Sequence, residues 1–168
     1  MRRFVTIFLL VLLALFTLEM LTAVQKAVIE PFTGALAALS AGLILPFDDS
    51  VMAHGKVLQF TDTGFAVSIE AGCNGVEATI VLVAAVLAFP APWRARLLAI
   101  GVGFLAVQAM NILRIISLFY LGNWNLDAFI WIHLYLWPVL IMLDVLIVFV
   151  VYLRWLSRRS GDVAHGAA

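Results

Sequence analysis

Apolar positions so dominate this chain that its elements are bounded by the few places where polar residues interrupt them. A first apolar run extends from Phe4 to about Val24, broken by Glu19. It follows Arg2 and Arg3, as a signal peptide would. Its length, the acid near its end and the lack of an A-x-A site after it make it an uncleaved anchor helix instead. A second segment, Ala27 to Phe47, is rich in Ala, Leu and Gly and bounded by Pro31 and Pro46. It is borderline for the ~20 apolar residues that a membrane crossing needs. From Val51 to Gly72 the period changes. Lys56 to Phe60 and Phe65 to Glu70 alternate apolar and polar about Thr61-Asp62-Thr63-Gly64, which predicts a β-hairpin in water. Three apolar runs follow: Val76 to about Phe89, Leu97 to about Leu121, and Phe129 to about Leu153.

Composition says which solvent these runs meet. Of 168 residues, 65% are hydrophobic and 12% charged, and mean hydropathy is +1.12. Soluble domains are about 45–50% apolar and about 25% charged, so the bilayer is the solvent. Net charge is zero, which points to no nucleic-acid surface. The arginines mark topology instead: Arg2 and Arg3, Arg94 and Arg96, then Arg154, Arg158 and Arg159 flank apolar runs, as at cytoplasmic helix ends. If all three clusters share one side, an even number of crossings separates each pair. The Ala27 to Phe47 segment is then the one that does not cross, an interfacial or re-entrant helix. The expected fold is an all-α polytopic membrane protein, a four-span helical bundle with an extracytoplasmic β-hairpin. Residues 1–159 form one domain and 160–168 a disordered tail.

This topology collects polar chemistry at the outer face. Cys73 falls at the outer mouth of the second span, Arg114 in the outer half of the third and His133 about one turn into the fourth. At ~1.5 Å per residue their depths agree within roughly 10 Å. The single cysteine excludes an intramolecular disulfide, so Cys73 is a packing residue, an intermolecular link or a reactive thiol. It lies in Glu70-Ala71-Gly72-Cys73-Asn74-Gly75-Val76-Glu77, a turn into a helix whose dipole is expected to lower the thiol pKa. Arg114 costs too much in a bilayer to stand without a partner or cavity. A thiolate acting in acyl transfer needs a proton-transfer partner and an oxyanion stabiliser, and His133 and Arg114 are the intramembrane candidates. Asn111, one turn before Arg114, would orient it or a substrate. Glu77 is a counter-ion to Arg114 or a structural acid of the helix start. No His, Cys or carboxylate spacing suggests a metal, and no cofactor is implied.

Three blocks, Ala-Gly-Cys73-Asn-Gly-Val-Glu-Ala, Asn111-Ile-Leu-Arg114-Ile and His133-Leu-Tyr-Leu-Trp, resemble the exosortase/archaeosortase family, and most closely its short exosortase H type. The resemblance runs from about Gly55 to Leu156. It implies a membrane cysteine protease or transpeptidase of the bacterial inner membrane with its active site facing the periplasm. The substrates implied are secreted proteins ending in a recognition motif, one transmembrane helix and a basic cluster. Cys73 would be the nucleophile, forming a thioester, Arg114 the transition-state stabiliser and His133 the acid/base. Asn74, Gly75, Asn111 and Glu77 would bind substrate or support the site. Many relatives carry Cys-Ser-Gly where this chain has Cys73-Asn74-Gly75, so the substrate motifs of other subtypes do not transfer. The alternative reading is a non-enzymatic membrane scaffold or transporter subunit in which Arg114 and Glu77 pair structurally.

Overall fold

The computed structural model describes residues 2–165, with side chains from 2 to 158. Helix α1 (Arg2–Glu19) stops at Glu19, short of the expected Val24, and the chain bends at Met20 and Leu21. Gln25 Nε2 donates to the free carbonyl of Glu19 at 2.7 Å, satisfying one of the acceptors a helix end leaves open. The chain is helical again from α2 (Thr22–Val24) through a π turn (Gln25–Ile29) into α3 (Glu30–Ile44). The sequence places a boundary at Pro31, but the helix runs through it. Proline has no N–H to return to the preceding turn. Here Pro31 occupies the first turn of α3, directly after the π turn, where the Glu30 N–H already reaches back to the Gln25 carbonyl.

Strands β1 (Val51–His54), β2 (Val57–Phe60) and β3 (Ala66–Ser68) form an antiparallel sheet in that order. The expected hairpin is β2 and β3, with Leu58 opposite Val67. The sequence does not reveal β1, whose Val51-Met52-Ala53 has no polar alternation. It joins β2 through the two-residue turn Gly55-Lys56, where Gly55 has φ +57°, a left-handed conformation typical of tight hairpins.

The remaining helices are α4 (Val76–Ala88), α5 (Trp93–Trp124) and α6 (Leu126–Trp131), which passes through a π turn (Ile132–Leu136) into α7 (Trp137–His165). Helix α7 thus enters the stretch expected to be a disordered tail, whose last residues, 166–168, lie outside the described ones. Three helical stretches among the described residues are long and apolar enough to cross a membrane: Thr22–Ile44, Trp93–Trp124 and Leu126–Arg158. The first is the segment the charge arithmetic removes from the crossings. Helix α4, with 13 residues, extends only ~20 Å at 1.5 Å per residue, against roughly 30 Å of hydrocarbon.

Two apolar cores meet on α5. One joins α3 and the sheet to Ile115 and Phe119, with the rings of Phe60 and Phe119 stacked at 4.2 Å. The other joins α4 and α7 to Val107 and Leu118, through Leu82, Val86, Trp137 and Ile141. Helix α1 lies along α4. Arg3, Phe4 and Ile7 share a cavity of about 610 Å³ with Leu87, Phe89 and Arg96, while Glu19 is within electrostatic reach of Glu77. Tyr152 of α7 is within electrostatic reach of Arg96. All three arginine clusters therefore belong to one end of the helical body. The sheet occupies the other, tied to the end of α5 by Tyr120 to Asp48 at 3.0 Å and Thr63 to Asn123 at 3.2 Å.

Candidate functional site

The chain passes from sheet to α4 through a loop that two glycines make possible. Gly72 (φ +82°) and Gly75 (φ +75°) are left-handed, a conformation that side chains with a Cβ rarely adopt. Gly75 is also crowded, because a Cβ there would lie 2.9 Å from Gln108 Nε2. Asn74 is fully buried between them. Its Oδ1 accepts the Val76 N–H at 3.1 Å and its Nδ2 donates to Thr33 Oγ1 at 3.2 Å. One side chain thus caps α4 and fastens the loop to α3. Glu77 accepts the Gly72 N–H from the other side, and the Cys73 N–H closes a turn onto the Glu70 carbonyl at 2.9 Å. Cys73 is therefore held on both flanks.

Two further elements reach its sulfur. Arg114, on the buried face of α5, is 6% exposed. Its Nη1 donates to the Gly72 carbonyl at 3.0 Å and its Nη2 to Cys73 Sγ at 3.4 Å. His133 comes from the π turn between α6 and α7, the kind of helical irregularity often found at functional sites, with Nε2 3.8 Å from Cys73 Sγ. Its ring lies parallel to Phe129, centroids 5.5 Å apart and planes within 2°, which fixes the imidazole's orientation. His133 Nδ1 has no protein partner. The sulfur thus sits between a fixed cation and an imidazole. Beside it is a cavity of about 160 Å³ lined by β3, Glu70, Ile115, Leu118 and Phe129.

The electrostatics correct one expectation. Burial pushes the Cys73 thiol above its ordinary pKa. The Arg114 cation pulls the other way without prevailing, and the Glu77 and Glu70 carboxylates add to the rise. Desolvation of the ion is the largest influence on the thiol, and its direction is opposite to the lowering expected of a helix start. The resting cysteine is thus a thiol. Iodoacetamide should alkylate Cys73 more slowly at pH 7 than an exposed cysteine, the rate rising about tenfold per pH unit into the alkaline range as thiolate forms. A rate already flat above pH 7 would mean a lowered pKa and overturn this assignment.

The remaining sequence candidates divide. Asn74 and Gly75 are in the loop itself. Glu77 forms no ion pair with Arg114: its carboxylate accepts the Gly72 N–H, and the one ion pair among the described residues is Lys56 with Glu70. Asn111 does not orient Arg114 by a hydrogen bond. It is fully buried with neither amide atom partnered, and packs beneath Gly75, where a Cβ would lie 3.3 Å from its Cγ. Gln108, which is not among the sequence candidates, shares that place with both amide atoms unpartnered. The signal was the spacing 108, 111, 114, a polar stripe down one face of an apolar helix. Phe129 and Thr33 carried no such signal, being one aromatic and one hydroxyl among many. No group of three or more His, Cys, Asp or Glu among the described residues could hold a metal ion.

Comparison with known families matches residues 1–150 to the family described as transmembrane exosortase (Exosortase_EpsH). No curated protein and no solved structure matches the chain.

Proposed function

The chain belongs to the transmembrane exosortase family, and on that premise we propose that it is a membrane cysteine protease or transpeptidase. It cleaves C-terminal sorting signals of secreted proteins through a thioester on Cys73. The observation that carries this reading is the position of Cys73 Sγ, 3.4 Å from Arg114 Nη2 and 3.8 Å from His133 Nε2, beside a cavity.

Those distances support the following steps. His133 Nε2 takes the thiol proton as Sγ attacks the scissile carbonyl carbon, so the resting thiol becomes a nucleophile only when a substrate is present. The oxyanion that forms is received by the Arg114 guanidinium, already aimed at the sulfur. Collapse breaks the C–N bond, and His133 returns its proton to the departing amine, which leaves with the substrate's transmembrane helix. An amine or water then attacks the thioester, gives its proton to His133 and restores the thiol. Apart from substrate and acceptor, the scheme uses only groups this chain supplies.

The arginine clusters at one end support four crossings, α1, α4, α5 and the α6–α7 rod, of which α4 is shorter than the hydrocarbon and is packed against α1, α5 and α7. Helix α1 starts at the arginine end, and the α2–α3 rod begins beside the opposite end of α1 and finishes at the sheet. It therefore starts and ends on one side, as an interfacial or re-entrant helix does. With the arginines in the cytoplasm, the sheet and Cys73 face the periplasm of a bacterial inner membrane. In a Cys73-free background, Lys56→Cys should react with an impermeant maleimide added outside the inner membrane. Reaction only from the cytoplasmic side would refute the orientation.

The reaction itself is tested by mass spectrometry of the enzyme isolated from cells rich in a secreted protein with the tripartite C-terminus, after acid quenching. The expected product is a Cys73 peptide carrying an acyl mass equal to the substrate truncated at its sorting motif. Unmodified Cys73 under conditions in which truncated substrate accumulates would overturn the mechanism. The scaffold alternative loses its specific support, because Glu77 is engaged with Gly72 and Arg114 with the cysteine loop.

A further inference from the structure

The two edges of the sheet are treated differently. Helix α3 packs against β1: Val51 is buried, and Gly34 on α3 approaches the Gly55 carbonyl, 3.6 Å from where a Cβ would lie. Strand β3 has β2 on one side and, among the described residues, no strand on the other. The register says which groups that leaves open. The Phe60 N–H donates to the Phe65 carbonyl, the Ile69 N–H donates to the Lys56 carbonyl, and Leu58 stands opposite Val67. In an antiparallel pair the hydrogen-bonding groups alternate from residue to residue. Phe65, Val67 and Ile69 therefore turn their main chain toward β2, and Ala66 and Ser68 turn theirs outward. Both are exposed. Open edges of this kind are normally blunted or covered because they accept another strand.

This edge opens onto the cavity beside the nucleophile. Val67, Ser68, Ile69 and Glu70 line the same cavity as Cys73, Arg114 and His133, together with the apolar Ile115, Leu118 and Phe129. We propose that the substrate's recognition segment binds as an added, fourth strand along β3. Its main chain pairs with the N–H and C=O groups of Ala66 and Ser68, and alternate side chains enter the cavity lined by Ile115, Leu118 and Phe129. An extended peptide laid on this edge runs along the wall of the cavity that contains Cys73. Main-chain pairing supplies affinity that is independent of side chains, and the pocket selects every second residue. The occupant is an extended segment of an unfolded C-terminus, since a folded surface has no free main chain to offer.

The inference rests on Cys73 as nucleophile and is tested separately from it. Ala66→Pro and Ser68→Pro each delete one outward N–H while leaving the β2 ladder intact, because proline is tolerated where the N–H faces outward from an edge strand. The readouts are the ratio of processed to unprocessed secreted protein bearing motif, helix and basic cluster, and iodoacetamide alkylation of Cys73 as a gauge of site integrity. Each proline variant should lose about tenfold or more in processing, with alkylation of Cys73 preserved. Ala66→Ser and Ser68→Ala, which keep the N–H, should each process at least about tenfold better than the proline variant at the same position. Full processing by both proline variants would overturn the added strand, while a thioester still trapped on wild-type Cys73 would leave the nucleophile standing. If a proline variant loses alkylation as well, a photoreactive benzoylphenylalanine decides, placed at Ser68 or at the exposed Met52 of β1. Cross-linking to the unprocessed substrate from position 68 and not from 52 supports the strand, and equal cross-linking or none from 68 overturns it.

Discussion

Replacing Cys73 by serine should abolish processing while leaving the protein inserted and abundant. The hydroxyl keeps the size and shape of the thiol, so the packing of the loop against the core of α3 and the sheet is nearly unchanged. The chemistry is not. A serine hydroxyl is far less acidic than a thiol, and the His133 imidazole here has no carboxylate or carbonyl on Nδ1 to strengthen it as a base. Loss of a single member of a nucleophile–base unit in other covalent enzymes costs on the order of 10⁶ in turnover, so the variant should fall to background. The measurement is the processed fraction of a sorting-signal substrate at enzyme levels matched to wild type. A scaffold would tolerate this substitution, so processing within a few-fold of normal would remove the enzymatic reading altogether.

The sequence shows the helices as apolar runs bounded by polar interruptions, and the outer cluster as three polar residues at one depth. That legibility has a physical basis: a polar group in a bilayer is expensive enough that each one present is informative. Arg114 and Asn111 stand out for that reason, and Cys73 because it lies between glycines at a change of period. What stays hidden depends on three-dimensional neighbours. The continuity of helix through Pro31 needs the π turn before it, which no local pattern announces. Strand β1 needs β2 beside it and α3 packed against it to be worth forming. The partner of Glu77 could not be chosen from spacing, since Arg114 and the Gly72 N–H were equally within reach along the chain. Nor could the thiol's pKa, because the helix start visible in the sequence acts against a burial that only the packed structure reveals.

Replacing Arg114 by lysine should impair activity far more than it impairs insertion. Both side chains are cationic and comparably costly in a membrane, so abundance and topology should hold. The difference lies in the number of directions in which each can donate. Arg114 makes two separate contacts from one planar group, Nη1 to the Gly72 carbonyl and Nη2 to Cys73 Sγ, and a lysine ammonium on a flexible stem cannot reproduce that fork. If it keeps the carbonyl it leaves the sulfur and the oxyanion. If it turns to the oxyanion it releases the loop that aims the nucleophile. Either way, processing should fall by about 10²-fold or more, the scale of a lost oxyanion donor. Alkylation of Cys73 by iodoacetamide separates the two causes, because that reaction develops no oxyanion. Preserved alkylation with lost processing assigns Arg114 to the transition state, whereas parallel loss of both assigns it to holding the Gly72–Cys73 turn. Near-normal processing by the lysine variant would mean that a point charge suffices there, and would remove Arg114 from the chemistry while leaving Cys73 and His133 in it.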